Sequence, residues 1–214
     1  EQVSGTGLIF IALDQARVEL INLASSGWQG VGLPKTVTSS RGNRVLTIDD
    51  SPALAVYQEY FGLEEGDLAQ QVVEIGIHYP LQLLRAPKEP ILRAPMVGHT
   101  EDQSITFAGG VAEGSKVRLS IAPGPKITRQ LLVEYAELRA RVPQPEAILM
   151  FSCIGRHNAL GSLIDDEVEA VYQLWEQPMA GFFTYGEIGS LKRDSCTFHN
   201  ETCVLVLLRE KSPS

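Results

Sequence analysis

Two short clusters hold most of the residues in this chain that could do chemistry. The first is Cys153, Gly155, Arg156 and His157; the second is Tyr185, Gly186 and Glu187. A guanidinium fork binds carboxylates in bidentate fashion, and a carboxylate accepts hydrogen bonds from an ammonium group. Arg156 and Glu187 therefore carry the charges needed to hold the two ends of an amino acid or a similar zwitterionic or anionic metabolite, with Tyr185 adding a hydroxyl. The plainer alternative is an ion pair between Arg156 and Glu187 that locks two loops together. Cys153 suggests a different chemistry, because a positive neighbour or a helix start lowers a thiol pKa and makes it nucleophilic or redox-active. His157 is a candidate base, but the local spacing matches no Cys/His signature and no third orienting group is identifiable. An enzyme built on Cys153 is thus the lesser alternative to a binding site.

For the two clusters to meet, the elements that carry them must end side by side. Ala147–Phe151 is a short, almost purely apolar run, which suits a strand buried on both faces. Asp165 and Asp166 open a helical pattern with Val168, Val171, Tyr172 and Trp175 on one face, Asp serving as the N-cap. Pro178 ends that helix, and Met179–Tyr185 reads as a second buried strand. Strand, crossover helix and strand within one sheet make the strands at 147–152 and 179–185 parallel neighbours, joined by a helix at about 165–176. Both strands then finish on one edge in glycine-rich loops, where α/β sheets bind ligands and where glycine permits close backbone approach. The predicted site is the crevice between residues 153–161 and 185–189.

The rest of the chain supplies a scaffold. Gly7–Leu13 and Arg17–Leu23 read as a hairpin, Ser25–Pro34 as a loop, and Lys35–Ser40 with Arg44–Ile48 as further strands. Ser51-Pro52 has the form of a helix start, with Ser as N-cap, and Gly62 can close that helix in a left-handed conformation. A second helix spans about 67–75; Ile91–Val97, Ser104–Ala108 and Lys116–Ile121 resemble an antiparallel meander. The longest helix covers about 127–141, and Thr202–Leu208 is a buried-type strand. The predicted class is α+β: a mixed, largely antiparallel sheet system with helices packed on it and one local β-α-β unit.

Composition narrows the function classes. The net charge of −8 argues against nucleic acid or an anionic membrane surface as partner. No apolar run approaches a membrane span, and Glu1-Gln-Val-Ser lacks the basic start of a signal peptide. Three cysteines at irregular spacing are no disulfide framework, so a cytoplasmic protein is expected. Cys196, His199, Cys203 and Cys153 fit no common zinc spacing, and no metal site is predicted.

Several of these stretches together resemble a known family. Phe151-Ser-Cys-Ile-Gly-Arg156 with Gly161, then Gly181-Phe-Phe-Thr-Tyr-Gly-Glu-Ile-Gly189, then Phe198-His-Asn-Glu-Thr202 before an apolar strand, resemble the C-terminal FIST domain. Arg41-Gly-Asn-Arg-Val-Leu-Thr-Ile-Asp-Asp50 followed by Pro52-Ala-Leu-Ala-Val-Tyr57 resembles the junction of the two FIST regions. The resemblance divides the chain into the end of an N-terminal FIST region, 1–50, of which about 7–50 can be matched, and a C-terminal domain, 51–214. It implies an intracellular sensory domain that binds a small ligand, amino acids having been proposed, and signals to a partner protein or fused domain. Some members are described as haem-based nitric oxide sensors. No cofactor is expected here; haem is the alternative, with His199 and His78 as possible axial ligands that nothing in the sequence selects.

Overall fold

The structure, a computed structural model, describes residues 5–8, 10–63, 68–122, 126–190 and 196–211, with the side chains of 126–130 left undescribed. In chain order the elements begin with strands β1 (Val18–Ser25), β2 (Gln29–Arg41), β3 (Arg44–Ile48) and β4 (Ser51–Pro52), then helices α1 (Ala53–Phe61) and α2 (Leu68–His78). Five strands follow: β5 (Leu81–Arg85), β6 (Lys88–Arg93), β7 (Pro95–His99), β8 (Ser104–Phe107) and β9 (Lys116–Ile121). The last part holds α3 (Lys126–Arg141), β10 (Ala147–Cys153), α4 (Ile154–Leu160), α5 (Leu163–Trp175), β11 (Met179–Thr184), β12 (Glu187–Gly189), β13 (Thr197–His199) and β14 (Cys203–Glu210). The class is α+β, as expected.

Two sheets organise two cores. A four-stranded sheet runs β1-β14-β10-β11, and a larger one runs β6-β5-β9-β2-β3-β8-β7 with β4 paired to β3. Leu23, Ile148, Met150, Leu205 and Leu207 of the first sheet bury against Leu131, Tyr135 and Leu138 of α3 and Ile164, Val171 and Trp175 of α5. Val37, Val45, Ile105 and Val117 of the second bury against Leu54, Tyr57 and Val72 of α1 and α2. The segment before residue 50 enters both sheets, β1 against β14 and β2 between β9 and β3.

The β-α-β unit is present. Strands β10 and β11 are parallel neighbours, in register from Ile148 opposite Met179 to Cys153 opposite Thr184. Its details differ from expectation in four ways. Residues 154–160 form α4 rather than a glycine-rich loop. The crossover helix starts at Leu163 with Ser162 in the cap position, so Asp165 and Asp166 lie in its first turn, where they complement the helix dipole. Its buried stripe is Ile164, Glu167, Val171 and Trp175, whereas Tyr172 is exposed. Finally, β11 is an edge strand and not a buried one: Phe182 is 66% exposed and Phe183 43%. An apolar run cannot distinguish burial on both faces from a sheet edge.

Elsewhere, strand pairing overrides several local expectations. Described residues before β1 form no strand, while the expected 25–34 loop lies largely within β2. Ser51 and Pro52 pair with β3, leaving Pro52 as the N-cap residue of α1 without a side-chain cap bond. Gly62 does close α1 in the left-handed region. The expected meander is broken because β9 crosses to the other side of β2.

One glycine fixes the β10–β11 contact. A Cβ on Gly181 would lie 1.8 Å from the Met150 carbonyl oxygen, on rigid backbone. Gly181→Ala is therefore expected to cost about 1–3 kcal/mol, read as a lowered denaturation midpoint. An unchanged midpoint would show that the two strands can separate freely.

Candidate functional site

The carboxyl ends of β10 and β11 meet a third element, the turn between β13 and β14. Together they enclose a cluster of buried polar residues: Ser152, Arg156, Glu167, Glu187, His199, Asn200, Glu201 and Thr202. Cys153, the last residue of β10, is 5% exposed and belongs to the same region. The chain reaches this density because β14, antiparallel to β10, brings Cys203 opposite Ser152 and so delivers 199–202 to that edge.

Arg156 sits at the centre with no exposed surface. Its Nη2 donates to both carboxylate oxygens of Glu167, at 2.9 and 2.8 Å. Its Nη1 donates to the Ser26 carbonyl and, at 3.3 Å, to the Glu201 carbonyl. Its guanidinium lies 5.3 Å from the centre of the Trp28 ring. Glu167 is steadied further by the Tyr135 hydroxyl, 3.1 Å away. Burial opposes the Arg156 charge, but Glu167 together with Cys203 and Tyr135 outweighs it and raises the pKa of the guanidinium. The expected partnership of Arg156 with Glu187 is thus replaced by one with Glu167, while Arg156 Nε is buried with no partner among the described residues.

Glu187 and Glu201 are left without that cation. Glu187 Oε1 accepts a bond from Thr184 Oγ1, while Oε2 of Glu187 and Oε2 of Glu201 are buried with no hydrogen-bond partner among the described residues. Burial pushes Glu187 up to about 7, against the opposing pull of Thr184, Cys153 and Arg156. Burial also pushes Glu201 up to about 8, with Glu187 adding to the shift and Arg156 opposing it. Two carboxyl groups that hold their protons well above the ordinary carboxylate range therefore share one buried region. Gly155 makes the approach possible, because a Cβ there would stand 2.1 Å from Glu201 Oε1.

Burial first, then Glu201 and Glu187, push the Cys153 thiol up to about 12. The positive neighbour that would have activated it is absent from this balance, and His157 is exposed with its ring edge-on to Phe183 at 5.0 Å. Cys153 is expected to be inert toward a thiol reagent in the native state, as is buried Cys203, while exposed Cys196 reacts. Rapid native modification of Cys153 would revive a nucleophilic role.

Of the expected site residues, the structure brings Cys153, Gly155, Arg156 and Glu187 together. Tyr185 is not among them: it is 85% exposed. Gly186 lies under the Phe198 ring, whose atoms would stand 2.6 Å from an added Cβ. The residues missed were Glu167, Glu201 and their neighbours. Glu167 had a signal, since it falls on the same helical stripe as Ile164 and Val171. Glu201 lay within the Phe198–Thr202 motif but had no visible link to Gly155.

Residues 53–190 match the FIST C domain, well over half of the chain. The chain belongs to the FIST C domain family. FIST C domains are sensory domains of signal transduction. Among relatives, an uncharacterized protein of Mycobacterium tuberculosis is 25% identical over 190 residues, covering 86% of this chain and 49% of the relative. An uncharacterized protein of Mycobacterium bovis is 26% identical over 178 residues, covering 80% of this chain and 46% of the relative. This FIST C chain thus spans about half the length of the curated relatives it matches. No solved structure matches it.

Among the described residues no group of three or more His, Cys, Asp or Glu could hold a metal ion. An open apolar cleft of about 420 Å³ lies between α5 and the β10–β11 pair. Its described lining includes Met150, Ser152, Val168 and Phe183 but no His, Cys or Tyr. His199 is buried with Nε2 3.0 Å from the Gly189 carbonyl, and His78 is exposed on α2. Haem needs an axial His, Cys, Met or Tyr facing an apolar slot, and of these the described lining of this cleft offers Met150 and Met179 without a partnering His. No helix among the described residues is long and apolar enough to cross a membrane.

Proposed function

We propose that this FIST C domain senses a small metabolite bearing an ammonium group, of the amino-acid or amine class, at the Glu187–Glu201 pair. The observation that carries the proposal is the pair of orphaned oxygens, Glu187 Oε2 and Glu201 Oε2, buried where Arg156 is already committed to Glu167. Buried carboxyls without partners are costly to retain, and a ligand cation is the group that would satisfy them. An ammonium donor replaces the protons of both groups and gains charge-assisted hydrogen bonds in a region of low dielectric.

The signal has a path. The Glu201 carbonyl is held by Arg156, which also holds Glu167 on α5 and the Ser26 carbonyl at the end of β1. A ligand that moves Glu201 acts on three segments at once and, through them, on a partner protein or fused domain. The acidic charge and the three free cysteines suit work in the cytoplasm.

A thermal-shift screen of amino acids, primary amines and amine-free carboxylates tests this. A ligand at 100 times its Kd adds about 2.7 kcal/mol of stability. Shifts are expected from ammonium compounds and not from the plain carboxylates, and Glu187→Gln should remove them. Hits confined to carboxylates, or unchanged by Glu187→Gln, would refute the assignment.

A further inference from the structure

Beyond the carboxyl pair, a second cleft opens beside Ser26 and Trp28, both of which touch Arg156. It measures about 220 Å³ and lies between the β1–β2 turn, strands β5 and β6 and helix α3, with Ser25, Trp28, Gln82, Glu89 and Glu134 on its walls. Among the described residues, two carboxylates line it and no Lys or Arg does. Glu134 is anchored by the Ser25 hydroxyl, which donates to its Oε2. Gln82 is held by Arg118, whose Nε donates to the amide oxygen at 2.7 Å.

Trp28 supplies the independent observation. It is 5% exposed, its ring stands against the Arg156 guanidinium, and its Nε1–H is buried without an acceptor among the described residues. An indole nitrogen can only donate, and a buried donor left unpaired is a standing cost that an acceptor atom would remove. The other tryptophan, Trp175, shows the satisfied state: its Nε1 donates to the Val142 carbonyl at 2.9 Å.

We propose that this cleft is a second binding site, for a small organic ammonium compound that also carries an oxygen acceptor. The ammonium group pairs with Glu134 and Glu89, and the oxygen accepts from Trp28 Nε1. A simple anion is disfavoured by the two carboxylates. A metal ion leaves the indole donor unpaired, and no set of three ligands is present among the described residues. The site is separate from the Glu187–Glu201 pair, though Arg156 touches both through Trp28 and the Glu201 carbonyl.

The chain has two tryptophans, so the indole region of a proton–nitrogen correlation spectrum holds two side-chain peaks, assigned with Trp28→Phe. Ethanolamine, propylamine and propionate are added at millimolar concentrations. Ethanolamine should move the Trp28 peak downfield in a saturable manner and leave the Trp175 peak in place. Propylamine, which lacks the acceptor, should bind more weakly, and propionate should have no effect. Glu134→Gln and the surface variant Glu89→Gln should each weaken ethanolamine binding about tenfold, whereas Glu187→Gln should not. A Trp28 peak that ethanolamine leaves unmoved, that propionate moves equally, or that responds unchanged in both cleft variants overturns the proposal. Failure here with ammonium shifts still lost in Glu187→Gln would leave the first site standing.

Discussion

Arg156→Ala is expected to cost about 3–5 kcal/mol of folding stability, because it strands Glu167 as a buried charge with no counter-ion. The geometry leaves little room for relief. Glu167 is 2% exposed, and its remaining partner among the described residues is the neutral Tyr135 hydroxyl. The Ser26 and Glu201 carbonyls would lose a donor in the same substitution. A domain of ordinary stability holds about 5–15 kcal/mol in total, so the variant should be marginal or unfolded at room temperature. Arg156→Lys should fare only partly better, since one ammonium cannot span the acceptors that the guanidinium reaches. Removing both charges, as Arg156→Met with Glu167→Leu, should recover most of the loss, because an apolar pair of similar volume avoids the desolvation of two ions. Urea denaturation of the three variants decides the matter. A single-variant loss below about 1 kcal/mol, the range of a surface pair, would mean that Glu167 finds water or another partner.

The second large effect is on pH. Glu187 and Glu201 are raised from the ordinary 4.5 to about 7 and about 8 in the folded protein. Over that window the folded state holds protons that the unfolded chain has released. Stability from the pair is therefore fully present below about pH 4.5 and is lost as pH rises through 7 and 8. The two groups interact, so they titrate as a pair and not as independent sites. The loss across the window should be on the order of a few kcal/mol. Asp49 and Asp102 act in the opposite sense. Hydrogen bonds, from the Thr36 N–H and the Ser104 hydroxyl respectively, hold them below the ordinary 3.8, so their contribution fades as pH falls into the acid range. Maximum stability should lie in mildly acidic solution. Glu187→Gln combined with Glu201→Gln should flatten the alkaline side of the profile, since an amide keeps the neutral shape without titrating. A profile that still falls steeply between pH 4.5 and about 8 in the double variant would assign the effect to other groups.

The β-α-β unit was legible because its two strands are strongly apolar runs and the helix between them has a clear period. That combination permits one connection, the parallel neighbour pair of β10 and β11. The placement of Cys153, Gly155, Arg156 and Glu187 near one edge followed from it. What could not be read was the choice of partner for Arg156. Charge complementarity alone offers Glu187 and Glu167 equally, and only the packing of α4 against α5 decides for Glu167. Glu201 was hidden for a different reason. It reaches the site through the antiparallel pairing of β14 with β10, a contact between distant residues that no local pattern encodes. The edge position of β11 likewise depends on how many strands the sheet has, not on the composition of the strand.

The most direct measurement is a carbon-13 titration of the glutamate carboxyl groups, with Glu187 and Glu201 assigned through their Gln variants. Both groups should titrate near pH 7–8, well away from the ordinary glutamate value of 4.5. On adding an ammonium ligand from the screen at neutral pH, both signals should shift toward the ionised form as protons are released. If both carboxyls already titrate near 4.5 in the free protein, the buried neutral pair does not exist and the ammonium site built on it fails with it.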